Sequence, residues 1–478
     1  MHRRPLTFLN LSLAVTVLGS GHVAAQTMPP EEYQQLSSSI FGELVEINTT
    51  DSELGNNTTA VQAVAKRFLD AGFPPEDVHV VIPADHPTKG NLVARLRGRN
   101  TGKKAVLLLA HIDVVQALPS DWSPDIKPFT FMERDGYWYG RGTTDNKDEA
   151  SIYAANLIRM KKEGFVPDRD IIVALTSDEE GGPRNGVDFL LTEHRDLIGD
   201  AAFAFNEGGG GMERNGEKVS NNVQASEKKY LSFRFEATNP GGHSSLPRKK
   251  NAIYDLSQAL LALQKYDFPV RLNEVTTAYF SRSADILGGD VGDAMRRVVA
   301  NPDDSAAVAV LAPEPNYNAR LRTTCVATML QGGHAQNALP QSAVATVNCR
   351  LLPDDDPEDI GNRLQALAEP FGVKVTPMGT ARPSPPSPLS GEVLQAVESI
   401  TREMWPGVPV LPIMSTGATD GLYLRRAGIP VYGVSGLFGD MDDARAHGKD
   451  ERIEIKSYYE GQEFLYRLVK SLSGGGIA

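Results

Sequence analysis

Between Glu31 and Glu207 the hydrophobic positions fall into two alternating patterns. Helical spacing predicts helices from Glu31 to Ile47, from Thr58 to Ala71 and after Asp145, where Ala150, Tyr153, Ala154, Leu157 and Ile158 form one face closed by Gly164. Between and after these lie the strand-like runs "NLVARLRG", "AVLLLAHID", "IIVALTSD" and "AAFAFNEG", the last three nearly continuous in apolar residues. Such continuous runs suit strands covered on both faces, so the alternation predicts an α/β sheet with helices on its sides.

Near Ala225 the texture changes. "KKYLSFRFEAT" alternates, "AIYDLSQALLALQKY" has helical spacing, and two further β-like runs follow, "RTTCVATML" and "QSAVATVNCRLL". The Pro/Ser-rich stretch "ARPSPPSPLSGE" reads as a linker, after which a helix from about Glu392, the Gly-rich loop "STGATDG", the strand "IPVYGVSG" and a last helix resume the first pattern. The simplest architecture is a discontinuous domain, 26–226 and 384–478, carrying an inserted α+β domain at 227–383. A long segment inside the insert, Tyr279 to Arg320, would either block or rebuild any interface that domain forms.

The ends of the apolar runs carry the chemistry. "AVLLLAHID" stops at His111 and Asp113, "IIVALTSDEE" at Asp178, Glu179 and Glu180, and "AAFAFNEG" at Glu207. "YGRGTTDNK" places Asp145 at a helix start, and "DARAHGKDE" supplies His447. An isolated acidic triplet after a strand has a bland reading, that it faces water. Five separate segments each ending on a hard or borderline ligand outweigh it. Two histidines and several carboxylates, without cysteine, suit zinc or a similar divalent ion. A two-metal site needs a bridging carboxylate and about two further ligands per ion, which leaves one carboxylate over as a general base. In an extended segment His111 and Asp113 point to one side, so Asp113 is expected to orient the imidazole of His111.

Composition narrows the partners. The formal net charge of −12 becomes more negative by two if residues 1–25 leave with Arg3 and Arg4, which argues against nucleic acid or an anionic membrane. Residues 1–25, with a basic start, an apolar run from Leu6 to Leu18 and small residues at Val23 and Ala25, read as a signal peptide. A membrane anchor would need a longer run than the one Asn10 interrupts. An exported protein, periplasmic or secreted, can keep a disulfide. Antiparallel pairing of the two cysteine-bearing runs would set Cys325 opposite Cys349, against the alternative of two buried thiols.

The ordered set "AHIDVV", "YGRGTTDNK", "SDEEGG", "FNEG", "GGHSS" and "AHGKDE" resembles the co-catalytic zinc peptidases of clan MH, in the branch of carboxypeptidase S, aminoacylase-1, carnosinase and succinyl-diaminopimelate desuccinylase. The resemblance spans nearly the whole mature chain. It implies a mixed-sheet catalytic domain with an inserted lid and dimerisation domain, and two Zn²⁺, with Co²⁺ or Mn²⁺ as alternatives. It implies His111 and Glu207 on one ion, Glu180 and His447 on the other, Asp145 bridging, Glu179 as general base and Asp113 orienting His111. Asp178 is left without a role. A cis peptide is expected after Asp145.

In the insert, His243 matches the lid histidine that reaches the substrate's developing oxyanion, in dimers often from the partner subunit. Asn337 and Arg350 match residues that grip a substrate carboxylate, and Gly417 lies in the matching substrate loop. The expected activity is hydrolysis of an amide next to a free C-terminal carboxylate, in small peptides (carboxypeptidase or dipeptidase) or N-acyl amino acids (aminoacylase). The alternatives are an aminopeptidase of the lidless branch, which the inserted domain disfavours, and an inert periplasmic binding protein, which the complete ligand set disfavours.

Overall fold

In the computed structural model, which describes residues 27–477 apart from 101 and 382, the apolar runs lie side by side. The expected signal peptide, 1–25, falls outside the described residues. Ala105–His111 pairs in parallel with Ile171–Thr176 on one side and Ala201–Asn206 on the other, and Val431–Gly433 extends the parallel core beyond Ala201–Asn206. Val78–Val81 and Asn91–Leu96 pair antiparallel at one edge, and beyond Val431–Gly433 antiparallel and parallel pairs both occur, giving a mixed sheet of ten strands.

The continuous runs are explained by cover on both faces. Val106, Leu108 and Ala110 enter the core that also holds Tyr153, Leu157 and Phe464, while Ala105, Leu107 and Leu109 enter a second one with Val187, Leu190 and Leu424. Because the parallel strands run the same way, His111, the Asp178–Glu180 triplet and Glu207 leave the sheet at one edge, where open α/β sheets place their ligand sites.

The second unit is a separate antiparallel sheet of four strands, Thr324–Gly332, Ser342–Leu351, Lys229–Thr238 and Val373–Met378 in spatial order. Helices Ala252–Gln264 and Pro357–Ala368 cover one face through Leu231, Phe233, Phe235, Leu256 and Leu364. Alternation along Ser342–Leu351 is strict, with Ala343, Ala345, Val347, Cys349 and Leu351 buried. Cys325 and Cys349 stand opposite one another in register and are joined by a disulfide.

The long segment within the insert is helical. Helices Glu274–Leu287, Gly289–Ala300, Ser305–Leu311 and Pro315–Leu321 share a small core of Phe280, Ala284, Met295, Val298 and Leu311. This unit reaches back to the catalytic domain, where Arg282 donates to Glu398 Oε1 at 2.7 Å and to the Val410 carbonyl at 2.9 Å. No described helix is long and apolar enough to cross a membrane.

Candidate metal centre

Five of the residues singled out at the strand ends converge. His111 Nε2 lies 3.0 Å from Asp145 Oδ1 and 3.4 Å from Glu207 Oε2, while His447 Nε2 lies 3.0 Å from Asp145 Oδ2 and 2.7 Å from Glu180 Oε1. Two three-residue groups, His111–Asp145–Glu207 and Asp145–Glu180–His447, each present ligand atoms within 4.8 Å of one another. Asp145 belongs to both and offers one oxygen to each histidine. Its peptide bond to Asn146 is cis, as expected.

The donor set fits a pair of divalent ions. Four carboxylates, of Asp145, Glu179, Glu180 and Glu207, gather around only two imidazoles, and burial, then Asp145, pushes Glu180 up to about 7. Burial, then the Glu207 carboxylate, pushes Glu179 up to about 10. Carboxyls that hold protons this firmly lack a positive partner, which metal cations would supply. Asp145 is the exception: against the effect of burial, hydrogen bonds with His111 and His447 hold it well below the usual carboxylate range.

Surrounding contacts fix these side chains. Asp113 faces His111 with two atoms, its carbonyl 3.0 Å and its nearer carboxylate oxygen 3.6 Å from Nδ1. The carboxylate also accepts the N–H groups of Glu179 and Glu180. Asp178 has a clear structural place. It pairs with buried Lys89 at 2.5 Å, accepts the Arg184 N–H at 3.0 Å, and sits in the left-handed region at φ 60°. Gly182, at φ +143°, is required beside it, since a Cβ there would lie 2.3 Å from the Asp178 carboxyl carbon.

On the opposite side Glu451 accepts the Thr144 and Gly142 N–H groups and a hydrogen bond from Arg141 at 2.6 Å, while Arg141 also donates to the Gly448 carbonyl. The loops bearing Asp145 and His447 are thereby locked together. Lys147, fully buried, donates to the Leu44 and Ile47 carbonyls at the end of helix Glu31–Glu46. The Gly-rich loop is held at Thr419 by Glu227, itself paired with Arg425 at 2.8 Å. Its Asp420, pushed up to about 7 by burial, accepts from Asn185 at 2.6 Å and from Thr176 at 3.3 Å. Gly417 caps onto Ser415 Oγ in the same loop.

The lid residues lie elsewhere. His243 is exposed, its Nδ1 accepting the Ser245 N–H at 3.1 Å, and it belongs to neither ligand group. Asn337 is close to it, its carbonyl accepting the Ser244 N–H, in the two-stranded ribbon of Gly242–His243 and Ala338–Leu339. Arg350 is not: it stacks on Tyr230, 4.9 Å from the ring centroid, at the opposite end of strand Ser342–Leu351. Eight residues of strand, at about 3.3 Å each, put roughly 26 Å between the two ends. One chain therefore does not bring Asn337 and Arg350 together.

Sequence reasoning missed Lys89, Arg141, Glu227, Asp420, Arg425 and Glu451. Arg141, Asp420 and Glu451 stood inside the quoted motifs, and a search for charges bound to be buried beside the ligands would have found them.

A family model described as peptidase family M20/M25/M40 matches residues 107–471. The chain is 29% identical to the probable carboxypeptidase S-like 2 of Dictyostelium discoideum, covering 84% of this chain and 78% of that protein. It is 25% identical to the N-fatty-acyl-amino acid synthase/hydrolase PM20D1 of Homo sapiens, covering 98% and 94%. Its fold is similar to that of the M20 family metallo-carboxypeptidase Sso-CP2 from Sulfolobus solfataricus, with TM-score 0.66 at 18% identity over 91% of this chain and 99% of that one. A model match running from the strand before His111 almost to the C-terminus, together with two ligand groups sharing Asp145, places the chain in peptidase family M20/M25/M40, as a metallohydrolase of peptides or N-acyl amino acids.

Proposed function

We propose that this protein is an exported dinuclear hydrolase that cleaves the amide of a small peptide or N-acyl amino acid beside a free carboxylate. The observation that carries this reading is the position of Asp145 between two histidines, with half-buried Glu179 adjoining Glu180 in the chain and outside both ligand groups. Divalent ions held by His111, Asp145, Glu207, Glu180 and His447 would supply Lewis acidity toward a carbonyl and toward water. Glu179 accepts the proton of the attacking water and returns it to the leaving nitrogen as the C–N bond breaks and the C–O bond remains. Asp113 fixes the peptide that carries Glu179, and the loop at Gly417 borders the substrate.

His243 and Asn337 act on a second copy. Both sit at the end of the lid remote from Lys229, where the insert leaves the catalytic domain, so they are poorly placed for their own centre. The outer lid strand Thr324–Gly332 leaves one edge unpaired among the described residues and exposes Val326, Met329 and Leu330. A long apolar free edge of this kind is a template for pairing, and a second lid is the occupant proposed here, its own His243 reaching the opposite site. Export is supported by the N-terminal pattern and by the disulfide, which an oxidising compartment preserves.

The test is product analysis by mass spectrometry of metal-loaded protein with dipeptides, longer peptides and N-acyl amino acids, each with a free or amidated C-terminus, with and without chelator. Chelator-sensitive cleavage confined to free C-termini is the expected outcome. Cleavage indifferent to the C-terminus would replace this reading with an aminopeptidase, and no cleavage of any member would replace it with a binding protein.

A further inference from the structure

Where the helical unit of the insert faces the catalytic domain it leaves a cavity of about 610 Å³. Helix Glu274–Leu287 turns Phe280 and Ala284 into the unit's own core, and lines the cavity with Tyr279, Ser283, Ile286 and Leu287, three and four residues apart on one face. Strand Val410–Ser415 contributes Leu411 and Ile413 to the other wall. The volume lies within the ~300–1,000 Å³ typical of small-molecule sites. None of the metal ligands lines it, so it is separate from the centre described above.

Two buried donors stand at this cavity without acceptors among the described residues. Ser283 is 3% exposed, and its Oγ has no hydrogen-bond partner. Arg320 stacks on Tyr279, one helical turn from Ser283, and donates through Nη1 to the Asn316 carbonyl, while its buried Nε has no partner. Donors left buried and unbonded are destabilising, and two at one cavity point to an acceptor that arrives with a ligand. The lining carries three charges, Arg214, Arg320 and Glu314. They converge on Tyr317: burial first, then Tyr279 and Glu314, push its hydroxyl above its ordinary range, and Arg320 and Arg214 oppose that rise. Glu314 accepts the N–H and the side-chain amide of Asn316 through Oε1 only, and Arg214 has just a loose, exposed pairing with Asp442 at 3.5 Å. The rest of the wall is largely apolar, with Ile286, Leu287 and Met441 each more than a third exposed.

We propose that this cavity is a second, non-catalytic site that binds a free amino acid with a large apolar side chain. Two arginines and an unbonded hydroxyl suit its carboxylate, which accepts from Ser283 Oγ and Arg320 Nε. The single acid beside them, Glu314, suits its ammonium group, and Ile286, Leu287, Leu411 and Ile413 receive its side chain. The ligand lies at the joint where Arg282, the chain neighbour of Ser283, already ties the insert to Glu398 and Val410, so its binding stabilises the folded chain. That such an amino acid is also a product of the enzyme rests on the hydrolase reading above; the binding site does not.

The experiment is calorimetric titration of the full metal-loaded chain with L-leucine and L-phenylalanine, alongside Tm at rising ligand concentration, both repeated after chelation to separate this cavity from the metal centre. Wild type should bind, gain Tm, and keep both properties without metal. Isocaproate, which lacks the ammonium group, and isoamylamine, which lacks the carboxylate, should each bind about tenfold or more weakly than leucine. Ser283→Ala removes a buried hydroxyl that has no partner, so it should raise the Tm of the ligand-free chain and yet weaken leucine by about tenfold. A hydroxyl that is merely buried would give the first effect without the second. Arg320→Met, which can still pack on Tyr279, should weaken leucine at least as much, and Glu314→Gln, which keeps an acceptor for Asn316, should erase the preference for leucine over isocaproate. No binding by wild type, binding lost on chelation, isocaproate equal to leucine in wild type, or leucine binding indifferent to Ser283→Ala and Arg320→Met would each overturn the proposal. A chain that binds leucine as expected but cleaves no peptide or N-acyl amino acid would overturn the hydrolase reading and leave this site standing.

Discussion

The Asp113 carboxylate accepts the backbone N–H groups of Glu179 and Glu180 together, at 3.2 and 2.9 Å, so one side chain positions both the proposed base and a proposed ligand. Asp113→Ala should release this turn while leaving the Asp113 carbonyl on His111. Metal affinity and kcat/KM should each fall by about 10- to 100-fold, as for other groups that orient metal ligands, measured by metal titration and steady-state kinetics. Asp113→Asn, which keeps one good acceptor, should lose less.

Glu179→Gln separates base from ligand. Glu179 lies outside both ligand groups, so the variant should bind metal as tightly as wild type and lose about 10²–10⁴-fold in kcat. Metal analysis beside turnover decides the matter, and a near-normal rate would remove Glu179 from the mechanism.

The two ligand groups differ in their access to water. The His111 side chain is 1% exposed and that of His447 is 53% exposed. Chelator should therefore strip bound metal in two phases, the faster one belonging to the Asp145–Glu180–His447 side. His447→Ala should abolish the fast phase and keep the slow one, as followed by metal release in stopped flow.

Lys228, at the crossing into the lid, is buried and donates to the Arg322 carbonyl at 2.7 Å and to Thr324 Oγ1 at 3.2 Å. Burial depresses it to about 7 from 10.5. Between those values the unfolded chain binds the proton and the folded chain does not, so this group makes stability rise with pH across that window. Below about pH 7 its cost is constant. The Tm of wild type minus that of Lys228→Met should thus grow from pH 7 toward pH 10, and a constant difference would show that Lys228 stays charged in the fold.

The parallel core and its ligands were legible because burial on both faces writes a strand as an unbroken apolar run, and such runs end where the site is. His111, Glu180 and Glu207 needed only that rule. Lys89, Glu227 and Glu451 were hidden because each meets partners far along the chain, as Glu451 does with Thr144 and Glu227 with Arg425. No periodicity announces a charge whose solvent has been replaced by distant partners. Spacing set Asp113 beside His111, where its carbonyl and carboxylate both face the ring, but its hold on the Glu179 and Glu180 N–H groups depends on a turn distant in sequence. The segment Tyr279–Arg320 was read only for whether it would block or rebuild a lid interface, because its core of Phe280, Met295 and Leu311 closes on itself and its bearing on Val410 depends on tertiary packing alone.

That bearing changes how the lid can move. Two chain crossings alone would leave the four-stranded sheet free to swing about a line through them. Arg282, reaching Glu398 and the Val410 carbonyl from the helical unit, adds a third tie between insert and catalytic domain. Any swing that carries Arg282 away from these partners has to break that tie first.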